Sequence, residues 1–244
     1  MKFSIITYLW HAEPKQPWKK PYCSDDARIL AGMAFQQVSI PYRFICITDR
    51  PEEFDGDPLV EAVPLDQRIH LKGTCYAKLF TFSPLAKELL GDYVLQIDLD
   101  SMIVGDVAPL CRWNEDLIMW RNPLYNQYGY LNDLIENKYC QYNASVIFHK
   151  CGTMTDIYDM FDPEHPPARD DQWYLCDVLG HWPPSWGGRD GIYRIRRNGM
   201  PFSGISGELP GNARIVTFPG DSHKPWLENT IEENPWISEH RRPL

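Results

Sequence analysis

Short runs of apolar and β-branched residues alternate along the first hundred positions with stretches in which apolar residues recur at helical spacing. "KFSIITYL" is short, almost wholly apolar and rich in isoleucine and threonine, so it predicts a buried first strand. The proline-broken "HAEPKQPWKKPYC" predicts a loop. In "SDDARILAGMAFQQV" the residues Ile29, Leu30, Met33, Ala34 and Val38 fall at helical spacing, and Ser24 or Asp25 is a suitable cap. "YRFICITD" predicts a second strand ending at Asp49, "LVEAVPL" a third and "YVLQI" a fourth. Between the last two, "TCYAKLFTFSPLAKELL" has helical character, with Pro84 opening a new segment.

The order strand, helix, strand, strand, helix, strand predicts an α/β fold with a mostly parallel sheet flanked by helices. In such sheets ligands collect at the carboxyl ends of the strands, where this reading places Tyr8, Asp49 and Asp98. The second half is less regular. "YNASVIFHK" predicts a strand, "TMTDIYDMF" and "DDQWYLCDVL" helices, and "ARIVTF" a last strand. The stretch from Gly180 to Gly211, rich in Gly, Pro, Trp and Arg, receives no assignment. The polar, proline-bounded "KPWLENTIEENPWISEHRRPL" reads as a tail. No repeat or low-complexity linker divides the chain, so one domain is expected over 1–244.

Composition narrows the function classes. Of 244 residues, 43% are hydrophobic and 13% aromatic, ample for a core. The net charge of −9 argues against broad binding to nucleic acid or anionic membranes, which needs clustered Lys and Arg. "RIRR", from Arg194 to Arg197, leaves a local basic groove open. The seven cysteines are scattered, odd in number and without zinc-ligand spacing, so a reducing cytoplasmic setting without a disulfide framework is expected. No apolar run reaches spanning length, and no stable membrane insertion is expected.

The chemistry concentrates in "VLQIDLDSMIVGD". An apolar run ends in Asp98 and Asp100, and a second run leads to Asp106, which reads as a cap before "VAPL". In an alternating strand Asp98 and Asp100 point the same way, with Leu99 turned inward. Two close carboxylates repel unless a cation neutralises them or one is protonated. Mg²⁺ or Mn²⁺ suits such a pair, since it takes one or two carboxylates and fills the remaining positions with water and phosphate oxygens. The competing reading is a strand that ends in a solvated turn.

"YVLQIDLDSMIVGDVAPL" resembles the Asp-x-Asp segment of GT-A glycosyltransferases, especially the glycogenin-like and bacterial lipopolysaccharide galactosyltransferase group with its wider, uncharacterised bacterial and phage members. Further resemblances follow the same order. "TCYAKLFTF" is similar to the helix that carries a basic residue, here Lys78, towards the donor. "YNASVIFHK" is similar to the Asn-Ala-Gly strand, with Ser145 in place of Gly. "DDQWYLCDVL" resembles the Asp-Gln helix start, and "IVTFPGDSHKPW" the closing His-Phe-x-Gly-x-x-Lys-Pro-Trp segment. "RFICITD" resembles a strand of the wider group.

The resemblance implies a GT-A fold and a metal-dependent hexosyltransferase using a nucleotide sugar, a UDP-hexose, with retention. Residues 1–106 would form the nucleotide-sugar half, 107–226 the acceptor and closing half, and 227–244 the tail. Asp98 and Asp100 would hold Mn²⁺ or Mg²⁺ against the donor diphosphate, and Lys224 would contact its phosphates. The third metal ligand departs from the pattern. Thr217 stands at the family's histidine position, and one extra residue separates Gly220 from Lys224, so His223, Asp221 or Thr217 could complete the set.

Thr7, Tyr8 and Asp49 would meet the nucleoside. Asp171 would bind sugar hydroxyls, Gln172 would lie by the anomeric carbon, and Asn143 would bind donor or acceptor hydroxyls. For each a plain structural reading stands beside this one: Thr7 continuing the sheet, Asp49 capping a turn, acids at a helix start, Asn143 satisfying backbone groups. Inversion would instead need a base, Asp170 or Asp171. Trp182 and Trp186 are the acceptor-stacking candidates. The acceptor stays open between a glycan, a lipid-linked glycan, a protein and a modified DNA base. A sugar-phosphate nucleotidyltransferase is the alternative enzyme, against which stands the lack of a Gly-rich N-terminal phosphate loop. An inactive glycan-binding or scaffold protein is the other alternative.

Overall fold

The computed structural model describes residues 1–10, 21–66, 68–69, 75–122, 140–166, 170–180, 183–196 and 204–241. Its centre is a seven-stranded sheet. Strands β1 (Phe3–Leu9), β2 (Arg43–Thr48), β3 (Glu61–Pro64), β4 (Tyr93–Ile97), β6 (Leu117–Arg121), β7 (Tyr142–Lys150) and β8 (Ser185–Trp186) lie in the order β3-β2-β1-β4-β7-β6-β8. β7 runs antiparallel to both its neighbours, and every other pairing is parallel. A second sheet of β5 (Ser101–Ile103), β10 (Ile215–Thr217) and β9 (Ile192–Arg194) has the order β5-β10-β9. The architecture is a mixed, mostly parallel α/β sheet with helices on its faces, as the alternation of elements predicts.

The apolar runs follow from burial on both faces. Every residue of β1 is buried. Ile5 and Leu9 pack with Leu30 and Met33 of helix α1 (Ser24–Gln37), whereas Ile6 and Tyr8 pack with Leu79 and Phe80 on the opposite face. Leu79 and Phe80 belong to Cys75–Phe82, which winds as a 3-10 helix and stops before Pro84; α2 (Ala86–Leu90) then starts afresh. His149 of β7, buried, bonds Thr81 Oγ1 at 2.6 Å and stacks on Phe82, pinning this helix to the sheet. Burial pushes the His149 imidazole down to about 4, so it is neutral at pH 7. The turn from α2 into β4 is made by Gly91 at φ 110°, where a Cβ would lie 3.0 Å from the Lys2 carbonyl oxygen.

The unassigned stretch after Gly180 supplies β8 and β9, two short strands whose Gly and Pro neighbours hide their periodicity. The residues after the Lys-Pro-Trp segment form α5 (Glu228–Glu233) and α6 (Trp236–His240), the latter burying Trp236 and Ile237 against the core that contains Phe218. All seven cysteines are unbridged. Among the described residues no helix is long and apolar enough to cross a membrane.

Candidate active site

The site forms where β4 runs out of the main sheet. Ile97 pairs with Val146, and the Asp98 N–H extends the ladder by one bond to the Ser145 carbonyl at 3.0 Å. The Asp98 carbonyl then accepts the Ser101 N–H at 2.9 Å, closing a tight turn, and β5 departs to the second sheet. There Ser101 pairs with Thr217, the last residue of β10, so the closing segment begins beside the two aspartates.

A bulge in β7 sets the height of this turn. Met119 faces Ile147 whereas Trp120 faces Asn143, so residues 144–146 have no counterpart on β6. Asn143 Oδ1 accepts the Ser145 N–H at 2.8 Å and holds the bulge, and Ser145 in turn holds Asp98. The side chain of Asn143 therefore satisfies backbone here, and its link to the site passes through Ser145.

The turn separates the two carboxylates. The Asp98 side chain meets the 3-10 helix, where Lys78 Nζ lies 3.1 Å from its Oδ1. Asp100 meets other partners: it pairs with the Lys224 ammonium and accepts the Tyr22 hydroxyl at 3.1 Å. The alternating-strand geometry expected of the pair does not apply, because regular pairing ends at Ile97 and residues 98–100 turn.

Lys78 also reaches Asp171 Oδ2 at 2.9 Å. Asp171 is the first residue of helix α4 (Asp171–Leu179), after the one-turn α3 (Asp156–Asp159), and its carboxylate also bonds the Cys75 thiol. The neighbouring Asp170 caps α4, accepting the Trp173 N–H at 3.0 Å. "RDDQW" thus does two things: the first acid caps and the second pairs with a buried lysine.

Burial alone would lower the pKa of Lys78, but Asp171 and Asp98 outweigh it and hold the amine well above its ordinary value. Burial raises both Asp171 and Asp100, with Asp98 adding to each rise while Lys78 and Lys224, respectively, oppose it. With all groups ionised, three carboxylates (Asp98, Asp100, Asp171) face two ammonium groups (Lys78, Lys224), leaving one negative charge in excess. Asp98 is the most open of the three, its side chain 26% exposed against 15% for Asp100 and 5% for Asp171.

The closing segment adds an unsatisfied donor atom. His223 is buried; its Nδ1 lies 2.8 Å from Ser222 Oγ and its Nε2 is enclosed with no hydrogen-bond partner. The tautomer that donates from Nδ1 leaves a lone pair on Nε2, the form in which histidine serves as a ligand. Thr217 turns instead towards β9, donating to the Tyr193 carbonyl at 3.4 Å, and Asp221 is exposed. Lys224 also bonds the Phe218 carbonyl at 3.2 Å, and Trp226 meets Tyr22 edge-on at 5.5 Å. Among the described residues no three His, Cys, Asp or Glu side chains gather into a ready cation centre.

At the end of β1, Thr7 is buried with its hydroxyl unpartnered, and Tyr8 donates to the Lys78 carbonyl at 3.2 Å. Burial raises the Tyr8 phenol, so it stays a neutral donor. Asp49 follows β2 at the same sheet edge, 3.9 Å from the Arg50 guanidinium. Gln172 bonds the Cys140 thiol, which also meets Cys176. Trp186 is fully buried in the core, so the open stacking face expected of it is absent; Trp182 and Arg197 lie outside the described residues. Arg194 is buried too, which removes it from any surface basic groove. Sequence reasoning missed Tyr22 and Cys75. For Tyr22 the one signal was an aromatic residue directly before the acid-rich start of α1.

This architecture is the GT-A glycosyltransferase fold. The galactosyltransferase LgtC, solved with donor and acceptor sugar analogues, matches with a TM-score of 0.61 over 98% of this chain and 95% of its own, at 12% identity. GlyE of Streptococcus pneumoniae TIGR4 matches at 0.56 and 13% identity, over 93% of this chain and 57% of its own. Mouse xyloside xylosyltransferase 1 matches at 0.54 and 11% identity, over 93% and 100%. No protein-family model matches the sequence, and no curated protein does.

Proposed function

We propose that the protein is a metal-dependent glycosyltransferase that moves a hexose from a UDP-sugar to an acceptor hydroxyl with retention. The observation that carries this reading is the charge arrangement at the carboxyl edge of the sheet. Three carboxylates there face two ammonium groups, and Asp98 is the most exposed of the three acids. The fold neighbours add that this scaffold serves glycosyl transfer elsewhere.

The residue types suit a hard divalent cation of the Mn²⁺ or Mg²⁺ type, and Asp98, Asp100 and His223 would hold it once Asp100 leaves Lys224 and the three are drawn together. When bound, that ion would offset the charge that develops on the departing diphosphate. The chain does the rest. Lys224, released from Asp100, offers its ammonium to the phosphates as a point charge. Thr7 lends an unpaired hydroxyl and Asp49 a carboxylate to the nucleoside. Lys78 favours the charged form of Asp171, which would bind the sugar hydroxyls, and holds Asp98 in place. Gln172 places a neutral dipole near the reacting carbon, which suits a front-face retaining route that needs no carboxylate nucleophile. Asn143 acts through the bulge that sets Asp98.

The test is turnover of a UDP-hexose panel with Mn²⁺, followed by anomeric analysis of the product. Metal-dependent release of UDP from at least one donor, with retained configuration on transfer, is the expected result. Absence of both hydrolysis and binding across the panel would instead support a catalytically silent scaffold.

A further inference from the structure

The last described helix is tied back to the site by one arginine. Arg241, just after α6, places Nη2 3.1 Å from Asp26 Oδ1, and its guanidinium lies 5.6 Å from the centre of the Trp226 ring. Asp26 is buried in the first turn of α1, and its other oxygen accepts the Cys23 N–H at 3.1 Å. Cys23 directly follows Tyr22. The Tyr22 ring stands edge-on against Trp226, at 88° between planes, and its hydroxyl reaches Asp100 Oδ2. One guanidinium therefore grips both supports of Tyr22: the backbone behind it, through Asp26, and the ring beside it, through Trp226.

We propose that Arg241 is a positioning residue whose clamp on Asp26 and Trp226 fixes Tyr22, and through it the Asp100 carboxylate, for binding of a metal–nucleoside diphosphate. The ligand part rests on the functional reading above, whereas the clamp itself rests on geometry alone. A planar guanidinium can donate in its plane to Asp26 while its face covers an indole, which an ammonium cannot do as well. Without it, the buried Asp26 loses a charged partner, and the Cys23 N–H loses a firmly held acceptor. The strap thus links the C-terminal helices to the Asp100 carboxylate.

The experiment compares Arg241→Gln and Arg241→Lys with the unaltered full chain. Amide hydrogen exchange is followed over residues 21–26 and 222–227, and calorimetry measures the affinity for UDP in the presence of Mn²⁺. Exchange in Arg241→Gln is expected to rise locally in both segments while β1 and β4 stay protected, and affinity to fall about tenfold, the size of one charge-assisted contact. Arg241→Lys is expected to lie between the two.

Unchanged exchange in both segments would overturn the clamp, and so would a rise spread evenly over the sheet, which would mark Arg241 as merely structural. Should Arg241→Gln fail to fold, Asp26→Asn carries the same test, because it removes the charge and keeps the shape. If the unaltered protein binds no UDP with Mn²⁺, the functional reading falls. Local exchange alone then decides the clamp: a confined rise supports it and no rise overturns it.

Discussion

Replacing Lys78 with methionine is expected to lower stability by about 3–5 kcal/mol, the cost of breaking a buried ion pair on one side. For a chain of this size that is roughly 10 °C in melting temperature. Lys78 stands between Asp98 and the buried Asp171, and among the described residues it is the cation that pairs with Asp171. Methionine fills the volume but leaves two carboxylates facing each other. Burial, with Asp98 adding to it, already raises the Asp171 pKa. A carboxyl raised in the folded state contributes its stability below its unfolded pKa and loses it as the pH climbs through the folded value. With Lys78 gone that pKa rises further. The deficit of the variant should therefore shrink as the pH falls through the carboxylate range and grow above it. Thermal melts of both proteins across that range measure this directly. A deficit that does not depend on pH would mean that Lys78 stabilises by packing alone.

Asp100→Ala is expected to act the other way round, with a large loss of function and a smaller loss of stability. On the proposed function, turnover of the donor with Mn²⁺ should fall by at least roughly a hundredfold, since an ion short of one anchoring carboxylate would no longer stabilise the departing diphosphate. The folded state should suffer less than in Lys78→Met. Lys224, freed from Asp100, lies on a segment whose neighbours Asp221 and Ser222 are exposed, and it can turn its ammonium to water. Asp100 is moreover an acid that burial and Asp98 already make costly to ionise. Parallel steady-state kinetics and melting curves separate the two effects. Full turnover in Asp100→Ala would remove this residue from the proposed metal site.

Much of the fold was legible because its central strands are buried on both faces. β1, β2 and β4 announce themselves as unbroken apolar runs, and α1 by its spacing and acidic start. β8 and β9 were not legible: two or three residues among Gly and Pro carry no period, and their pairing comes from distant strands. In the site, Asp98, Asp100, Asp171, Lys78 and Lys224 could be picked out one by one. Which lysine meets which acid could not, because Lys78–Asp98 spans 20 residues and Lys224–Asp100 spans 124. Trp186 misled for the same reason: an aromatic in a Gly/Pro-rich stretch reads as exposed until a strand pairing buries it. Asn143 was visible as a residue, but its effect depends on a bulge between β6 and β7, which only the register reveals.

The most direct measurement is the melting temperature of the unaltered protein with UDP, with Mn²⁺, and with both. A ligand that binds only the folded state raises it by mass action, by about 2.7 kcal/mol of stability at a hundredfold excess over its dissociation constant. The proposed site predicts a clear rise with UDP and Mn²⁺ together and little with UDP alone. An equal rise with UDP in the absence of any divalent cation would contradict it.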